Sequence, residues 1–346
     1  MKKRIIVFGL GRIFGTLRER IIQRFDVVAC TDRCERPQGD FWLQRFIKPH
    51  DIPTHFFDMI LICSTRYYGE IKKYLIDLGV QADKIYSIRC LISEKEEAKK
   101  IVEAWRKQGI LTPDDKLYKN QIFVIGDSHT CFFGGDEVKD AYPLGDLIGI
   151  NGCRDVIKPF KVFHIGPGLA YNALKYETFA ATREKVEFLL KFGFIPKKSL
   201  VLCSFGEIDI RVHAIKQAEQ QRIPVKKVLD DIIEHYLNFL LFLKNTNQVM
   251  VWGPIPSTKE GSHKDPLWPY YGSEQERNKA TEYFNRKLQF ICNNNGIMYI
   301  SIFKYLIDQD YMTKDEYLSD GYHLSQKAWK YATSAFEEYG INVTLL

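Results

Sequence analysis

The chain has 346 residues, of which 45% are hydrophobic, 27% charged and 14% aromatic, with a formal net charge of +6. That composition excludes a disordered or collagen-like protein, and the length allows two domains, each with its own core. Lys and Arg are dispersed apart from small clusters such as Lys2-Lys3-Arg4 and Lys197-Lys198, so no nucleic-acid footprint is expected.

The start, MKKRIIVFGLGRIFG, has the basic-then-apolar order of a signal peptide, but its apolar run is short and is broken by Gly9, Gly11 and Arg12. A first buried strand fits better. No later stretch approaches the uninterrupted apolar length of a membrane span. The eight cysteines are scattered without a CxxC pair, which points to reduced thiols in a cytoplasmic protein and against a metal site.

From there the elements alternate. RIIVFGLG, DVVACTD, FDMILICS and KIYSI read as strands, and RIFGTLRERIIQRF and GEIKKYLIDLG as helices, which implies a parallel sheet with right-handed crossovers. A charged helical pattern, SEKEEAKKIVEAWRKQG, and the loop LTPDDKLYKN follow. The expected organisation is an α/β domain over 1–90, a helical linker over 91–118 and a second α/β domain over 119–346. In that second domain QIFVIG, KSLVLCSFG, NQVMVWGP and IMYISIF read as strands, separated by helical patterns. The helix around Leu229, Ile232, Ile233, Tyr236, Leu237, Leu240 and Leu241 is apolar at helical spacing and should pack on the sheet.

Two stretches carry chemistry. The first is VFGLGRIFG, where Gly9, Gly11 and Gly15 lie between a strand and a helix and Asp32 ends the second strand. Dinucleotide-binding turns use glycines and an acidic residue in this way, but GxGxxxG departs from their spacing, and a turn that needs glycine for geometry alone gives the same pattern. The second is NQIFVIGDSHTCF. Its apolar strand stops at Gly126-Asp127-Ser128, which suits a turn or the delivery of Ser128 as a nucleophile. A base and an orienting carboxylate are available in YLSDGYHLSQKAW, with Asp320 three residues before His323.

The first ninety residues resemble the Rossmann-like domains that precede sugar acyltransferases and other bacterial surface-glycan enzymes. That resemblance implies a nucleotide or nucleotide-sugar at the N-terminal domain, or a docking role. Ser128 in GDS, His164 to Gly168 in HIGPG, Cys203 to Arg211 in CSFGEIDIR, and Asp320 to His323 occur in the order of the blocks of the SGNH or GDSL hydrolase family, and residues 118 to 340 resemble it. The resemblance implies a flavodoxin-like three-layer α/β/α domain in which Ser128 is the nucleophile, His323 the general base and acid, and Asp320 its orienting carboxylate. It also implies that the backbone N–H groups of Ser128 and Gly166 are the oxyanion donors, and that no cofactor is needed for the acyl chemistry.

The third block departs from the family, because Ile208 stands where an oxyanion-donating Asn is expected. Losing such a donor costs roughly 2.7 to 4 kcal/mol of transition-state stabilisation. Glu207, Asp209 and Arg211 alternate, and in an extended segment they would share one face; with His129 they are the candidate substrate-binding side chains. The FGEID-x-R variant resembles that of a bacterial subgroup associated with surface polysaccharide. His263 to Gly272 holds an aromatic and proline cluster that suits a lid, a sugar-stacking wall or an ordinary loop. The leading expectation is an esterase removing an acyl group from a sugar or glycan precursor. A sugar O-acyltransferase, or a non-catalytic binding protein on the same scaffold, stays open, as does a homo-oligomer.

Overall fold

The computed structural model describes residues 2–33, 45–64, 67–91, 99, 103, 107, 121–135, 142–143, 149–153, 155–257 and 269–345. The expected helical linker and most of the His263 to Gly272 cluster fall outside them. The described residues form two compact units, one built mainly from the chain up to Lys100 with Glu177–Phe179, and the other from most of the remaining chain.

The first unit holds a four-stranded parallel sheet formed by β1 (Arg4–Phe8), β2 (Asp26–Thr31), β3 (Met59–Ile62) and β4 (Ile85–Ser87), in the order β2-β1-β3-β4. The central strands β1 and β3 are apolar without alternation because both of their faces are covered. Ile5 and Val7 pack with Phe14, Leu17 and Ile21 of α1 (Arg12–Arg24), while Ile6 and Phe8 pack with Ile71 and Leu75 of α2 (Tyr68–Asp77).

The second unit is built on a seven-stranded sheet. Its strands are β5 (Ile122–Gly126), β6 (Tyr142–Pro143), β7 (Asn151–Gly152), β9 (Phe160–His164), β10 (Leu200–Ser204), β11 (Gln248–Trp252) and β12 (Met298–Ile300), while β8 (Ile157–Lys158) and β13 (Thr344–Leu345) make a separate antiparallel ladder. The order is β12-β11-β10-β5-β9-β7-β6, and β12 through β9 are parallel. In order of appearance the parallel strands therefore run 2-1-3-4-5, the flavodoxin-like arrangement, whose chain reversal opens a crevice beyond the ends of β5 and β10.

Helices α3 (Thr182–Lys191), α4 (Ile215–Gln221), α5 (Val225–Lys244), α6 (Glu274–Asn294) and α7 (Trp329–Glu337) complete the layers. One face of the sheet, with Ile122, Val124, Leu202 and Trp252, packs against Phe132, Phe133, Ala332 and Phe336. Helix α5 buries Leu229, Ile232, Ile233, Tyr236, Phe239, Leu240 and Leu243. Phe239 and Leu243 thus extend the expected stripe, while Leu237 and Leu241 are half-buried.

Strand β9 has no clean apolar pattern because Lys161 interrupts it. That lysine is 2% exposed and its Nζ lies 2.5 Å from Asp155 Oδ2, so the buried charge is paired. A second difference lies after β10. The segment Asp209–Ala214 is helical, a π turn leading into α4, and Ile208 already has φ −63° and ψ −39°. Glu207, Asp209 and Arg211 therefore do not share the face of an extended segment, and Glu207 and Arg211 are instead four residues apart on one helical face.

Candidate active site

Ser128 is placed by the close approach of two parallel neighbours, β5 and β10. A Cβ on Gly126, the last residue of β5, would lie 2.1 Å from the Ser204 carbonyl oxygen of β10, so glycine alone lets the strands run this near. Asp127 then ends the strand by accepting the His129 N–H on its carboxylate at 3.0 Å, and Ser128–Thr130 forms a single 3-10 turn. The buried turn Cys131–Gly134 drives Phe132 and Phe133 into the core and holds the serine at the sheet edge.

The loop before α7 brings the partner groups. Asp320 Oδ1 accepts the N–H groups of Tyr322 and His323 at 3.2 and 2.9 Å, and Ser319 N–H donates to the His323 carbonyl at 2.8 Å. The loop is thus closed on itself. His323 Nδ1 lies 2.6 Å from Asp320 Oδ2, and His323 Nε2 lies 2.7 Å from Ser128 Oγ. A carboxylate facing Nδ1 assigns the proton there, so Nε2 is the acceptor for the serine hydroxyl. Burial pushes the His323 pKa down, against the opposing pull of Asp320 and with the help of the His129 charge. Burial opposes ionisation of Asp320, but its bonds to His323 and the backbone outweigh that and hold the carboxyl well below the usual range. His323 is therefore neutral and Asp320 ionised near pH 7.

The second block follows β9. Gly166 has φ +88°, a conformation that favours glycine. Lys185 of α3, 7% exposed, donates from Nζ to the Ile165 carbonyl at 2.5 Å. Because the peptide is planar and trans, a carbonyl held toward Lys185 turns the Gly166 N–H the opposite way. His164, at the end of β9, is 3.3 Å from Asn151 Nδ2 through its Nδ1. Burial, then the Lys185 charge, lowers its pKa to about 4.

His129, Glu207, Asp209 and Arg211 are each at most 6% exposed. Glu207 accepts from Arg211 Nε at 2.6 Å, from Arg211 Nη2 at 3.1 Å and from His129 Nε2 at 3.3 Å. Burial opposes its charge, yet Arg211 and His129 hold its pKa low. His129 is likewise opposed by burial, and Asp127 and Glu207 raise its pKa. Asp209 turns elsewhere, with its carboxylate accepting the Ala170 and Tyr171 N–H groups at 2.8 and 3.0 Å, so that the third block ties down the segment that follows the second. Burial pushes its pKa up to about 7, and that of Asp127 up to about 6. Ile208 is buried at 4% exposure and offers no side-chain donor.

In the first unit, Gly9 follows β1 with φ +96° and Gly11 precedes α1, whose first turn carries no acidic residue. Asp32 Oδ2 accepts the Leu10 N–H at 2.8 Å, so its carboxylate braces the glycine turn. Gly15 lies within α1 with open space where a Cβ would be. Among the described residues no group of His, Cys, Asp and Glu side chains is arranged to hold a metal ion, and no helix is long and apolar enough to cross a membrane.

Lys185 and Tyr322 join the site without having been singled out in the sequence. The available signal for Lys185 was its place on the buried face of α3, between Thr182 and Leu189. Chemically, the arrangement of serine, neutral imidazole and ionised carboxylate can deprotonate a hydroxyl as it attacks an acyl carbon.

The GDSL-like lipase/acylhydrolase family model matches residues 122–336, and a model described as C2185-like, N-terminal, matches residues 1–86. Similar solved structures include a GDSL-like lipase from Bacteroides thetaiotaomicron, at 13% identity with 70% of this chain and 98% of that chain covered and a TM-score of 0.40. They also include an acetylxylan esterase from Geobacillus stearothermophilus (15% identity, 64% and 93% covered, TM-score 0.35) and a phospholipase A1 from Streptomyces albidoflavus (13%, 61% and 94%, 0.33). No curated protein matches the chain significantly. With the family model matched over more than half of its length, the chain belongs to the GDSL-like lipase/acylhydrolase family.

Proposed function

We propose that the protein is a serine-dependent esterase that removes an acyl group from a sugar or glycan precursor through a Ser128-His323-Asp320 triad. The observation that carries the triad is the pair of contacts at His323, 2.7 Å to Ser128 Oγ and 2.6 Å to Asp320 Oδ2. Ser128 Oγ attacks the ester carbonyl while Nε2 of His323 takes its proton. The tetrahedral oxyanion is met by the N–H groups of Ser128 and of Gly166, the latter turned away from Lys185. His323 returns the proton to the leaving alcohol, and an acyl-serine remains. Water, deprotonated by His323, releases the acid and restores Ser128.

The sugar substrate is supported by the resemblance of the first ninety residues to domains of surface-glycan enzymes. For that unit the proposed ligand is a nucleotide or nucleotide-linked sugar at the Gly9-Gly11 turn, and the lack of acidic residues in the first turn of α1 suits an anion there. A thermal-shift series with NAD, UDP-sugars and CoA tests it, and a flat response to all of them removes the proposal. A cytoplasmic location is supported by the buried free thiols Cys131, Cys203 and Cys292.

The test of the enzyme is fluorophosphonate labelling at Ser128, lost in Ser128→Ala, followed by hydrolysis of p-nitrophenyl acetate and of acetylated oligosaccharides. Accumulation of an O-acylated sugar when acceptor sugars are added would identify a transferase instead, since the same acyl-enzyme can be resolved by a sugar hydroxyl. Absence of labelling in the folded wild type would remove the nucleophile assignment.

A further inference from the structure

The third block lacks the side chain that would reach an oxyanion, yet it carries a buried carboxylate with three charge-assisted bonds. Glu207 receives Arg211 through two nitrogens and His129 through one. Each of these cations leads back to His323 by a different route. His129, the residue after Ser128, sets its ring centroid 4.9 Å from that of His323. The Arg211 guanidinium lies 5.4 Å from the centroid of the Tyr322 ring, and that ring is 4.4 Å from the His323 ring. The imidazole thus has His129 and Tyr322 as ring neighbours, and both connect to the same carboxylate.

A histidine on a loop needs such support. Two side-chain torsions set its Nε2, and an error of about 1 Å at a catalytic group can cost on the order of 10²-fold in rate. A buried ion pair is weak evidence for stability, but here both cations are tied to one carboxylate, which limits how far either can move, while His129 Nδ1 has no hydrogen-bond partner among the described residues. We propose that Glu207 is a positioning residue which, by holding His129 and Arg211 at once, clamps His323 over Ser128, so that the third block acts on the base instead of on the oxyanion. This rests on the assignment of Ser128 as nucleophile and His323 as its base.

The groups facing His323 are Asp320 and Tyr322 on its own loop, His129 after β5, Glu207 with Arg211 behind it after β10, and His164 at the end of β9. Asp320 and Glu207 favour the protonated imidazole, while His129 opposes it. Replacing His129 by Asn removes the opposing cation and leaves both carboxylates, so the acid limb of kcat/KM moves to higher pH.

The experiment uses the full chain and four variants, each checked for folding by thermal melting. Glu207→Gln should lower kcat about 10- to 100-fold with KM within about twofold. His129→Asn should shift the acid limb upward. Tyr322→Leu should lower kcat severalfold more than Tyr322→Phe, which keeps the ring. If Glu207→Gln does not fold, the other three decide. A folded Glu207→Gln with unchanged kcat, a His129→Asn profile that superimposes on the wild type, or equal rates for the two Tyr322 variants overturns the clamp. A wild type that resists fluorophosphonate removes it together with the assignment on which it rests.

Discussion

Ser128 Oγ and His323 Nε2 lie 2.7 Å apart although 195 positions separate them along the chain. The contact joins the end of β5 to the loop before α7, so losing either group should abolish the chemistry while leaving the fold. Ser128→Ala is expected to eliminate fluorophosphonate labelling and ester hydrolysis with a melting temperature close to that of the wild type. Asp320→Asn should lower kcat by roughly 10³- to 10⁴-fold, less than the serine change, because the oriented tautomer is lost and the nucleophile remains.

Lys185 holds the peptide that presents the Gly166 N–H. Lys185→Met keeps the volume but leaves the Ile165 carbonyl unpaired and able to turn. The expected result is a kcat about 10-fold lower or more, with KM little changed, below the roughly 10²- to 10³-fold cost of deleting a donor outright. Lys185→Arg should recover part of the loss. Steady-state kinetics beside thermal melting separate this from general destabilisation.

His164 sets a pH dependence of stability. Its folded pKa of about 4 is below the ordinary value of 6.5, so between these values the unfolded chain binds more protons at this site. The histidine therefore contributes stability that is complete above pH 6.5 and is lost as pH falls toward 4, on the order of 3 kcal/mol in all. Asp127 and Asp209, with pKa values raised to about 6 and about 7, act in the opposite sense. The readout is consequently the difference between wild type and His164→Gln in urea unfolding at pH 4.5 and pH 7, and the gap should narrow or reverse at the lower pH.

Gly126 admits no side chain. With a Cβ 2.1 Å from the backbone oxygen of Ser204, Gly126→Ala must part β5 from β10, and a destabilisation of about 3 kcal/mol or more is expected. Urea denaturation of any folded material measures it, and a midpoint equal to that of the wild type would show that the close approach of the two strands can relax.

Much of this architecture could be read from residue pattern because parallel strands buried on both faces leave unbroken apolar runs, as in Ile122 to Ile125. Strand β9 escaped that test, since Lys161 makes the run look half exposed until Asp155 is brought to it by the fold. The alternation Glu207-Ile208-Asp209-Ile210-Arg211 has a period of two and reads as a strand. Tertiary bonds from Asp209 to the Ala170 and Tyr171 N–H groups accompany a helical path instead. The serine, histidine and aspartate were visible through their motif, whereas Lys185 was not, because a lysine within an amphipathic helix ordinarily lies on the solvated side.

The self-closed loop from Ser319 to His323 has a consequence for how activity is lost. Asp320 and His323 are joined by bonds spanning three residues, so the proton-handling half of the site can survive as a local unit when its docking against β5 fails. Heating should then silence the enzyme before the sheet melts, with turnover lost at a lower temperature than far-ultraviolet ellipticity.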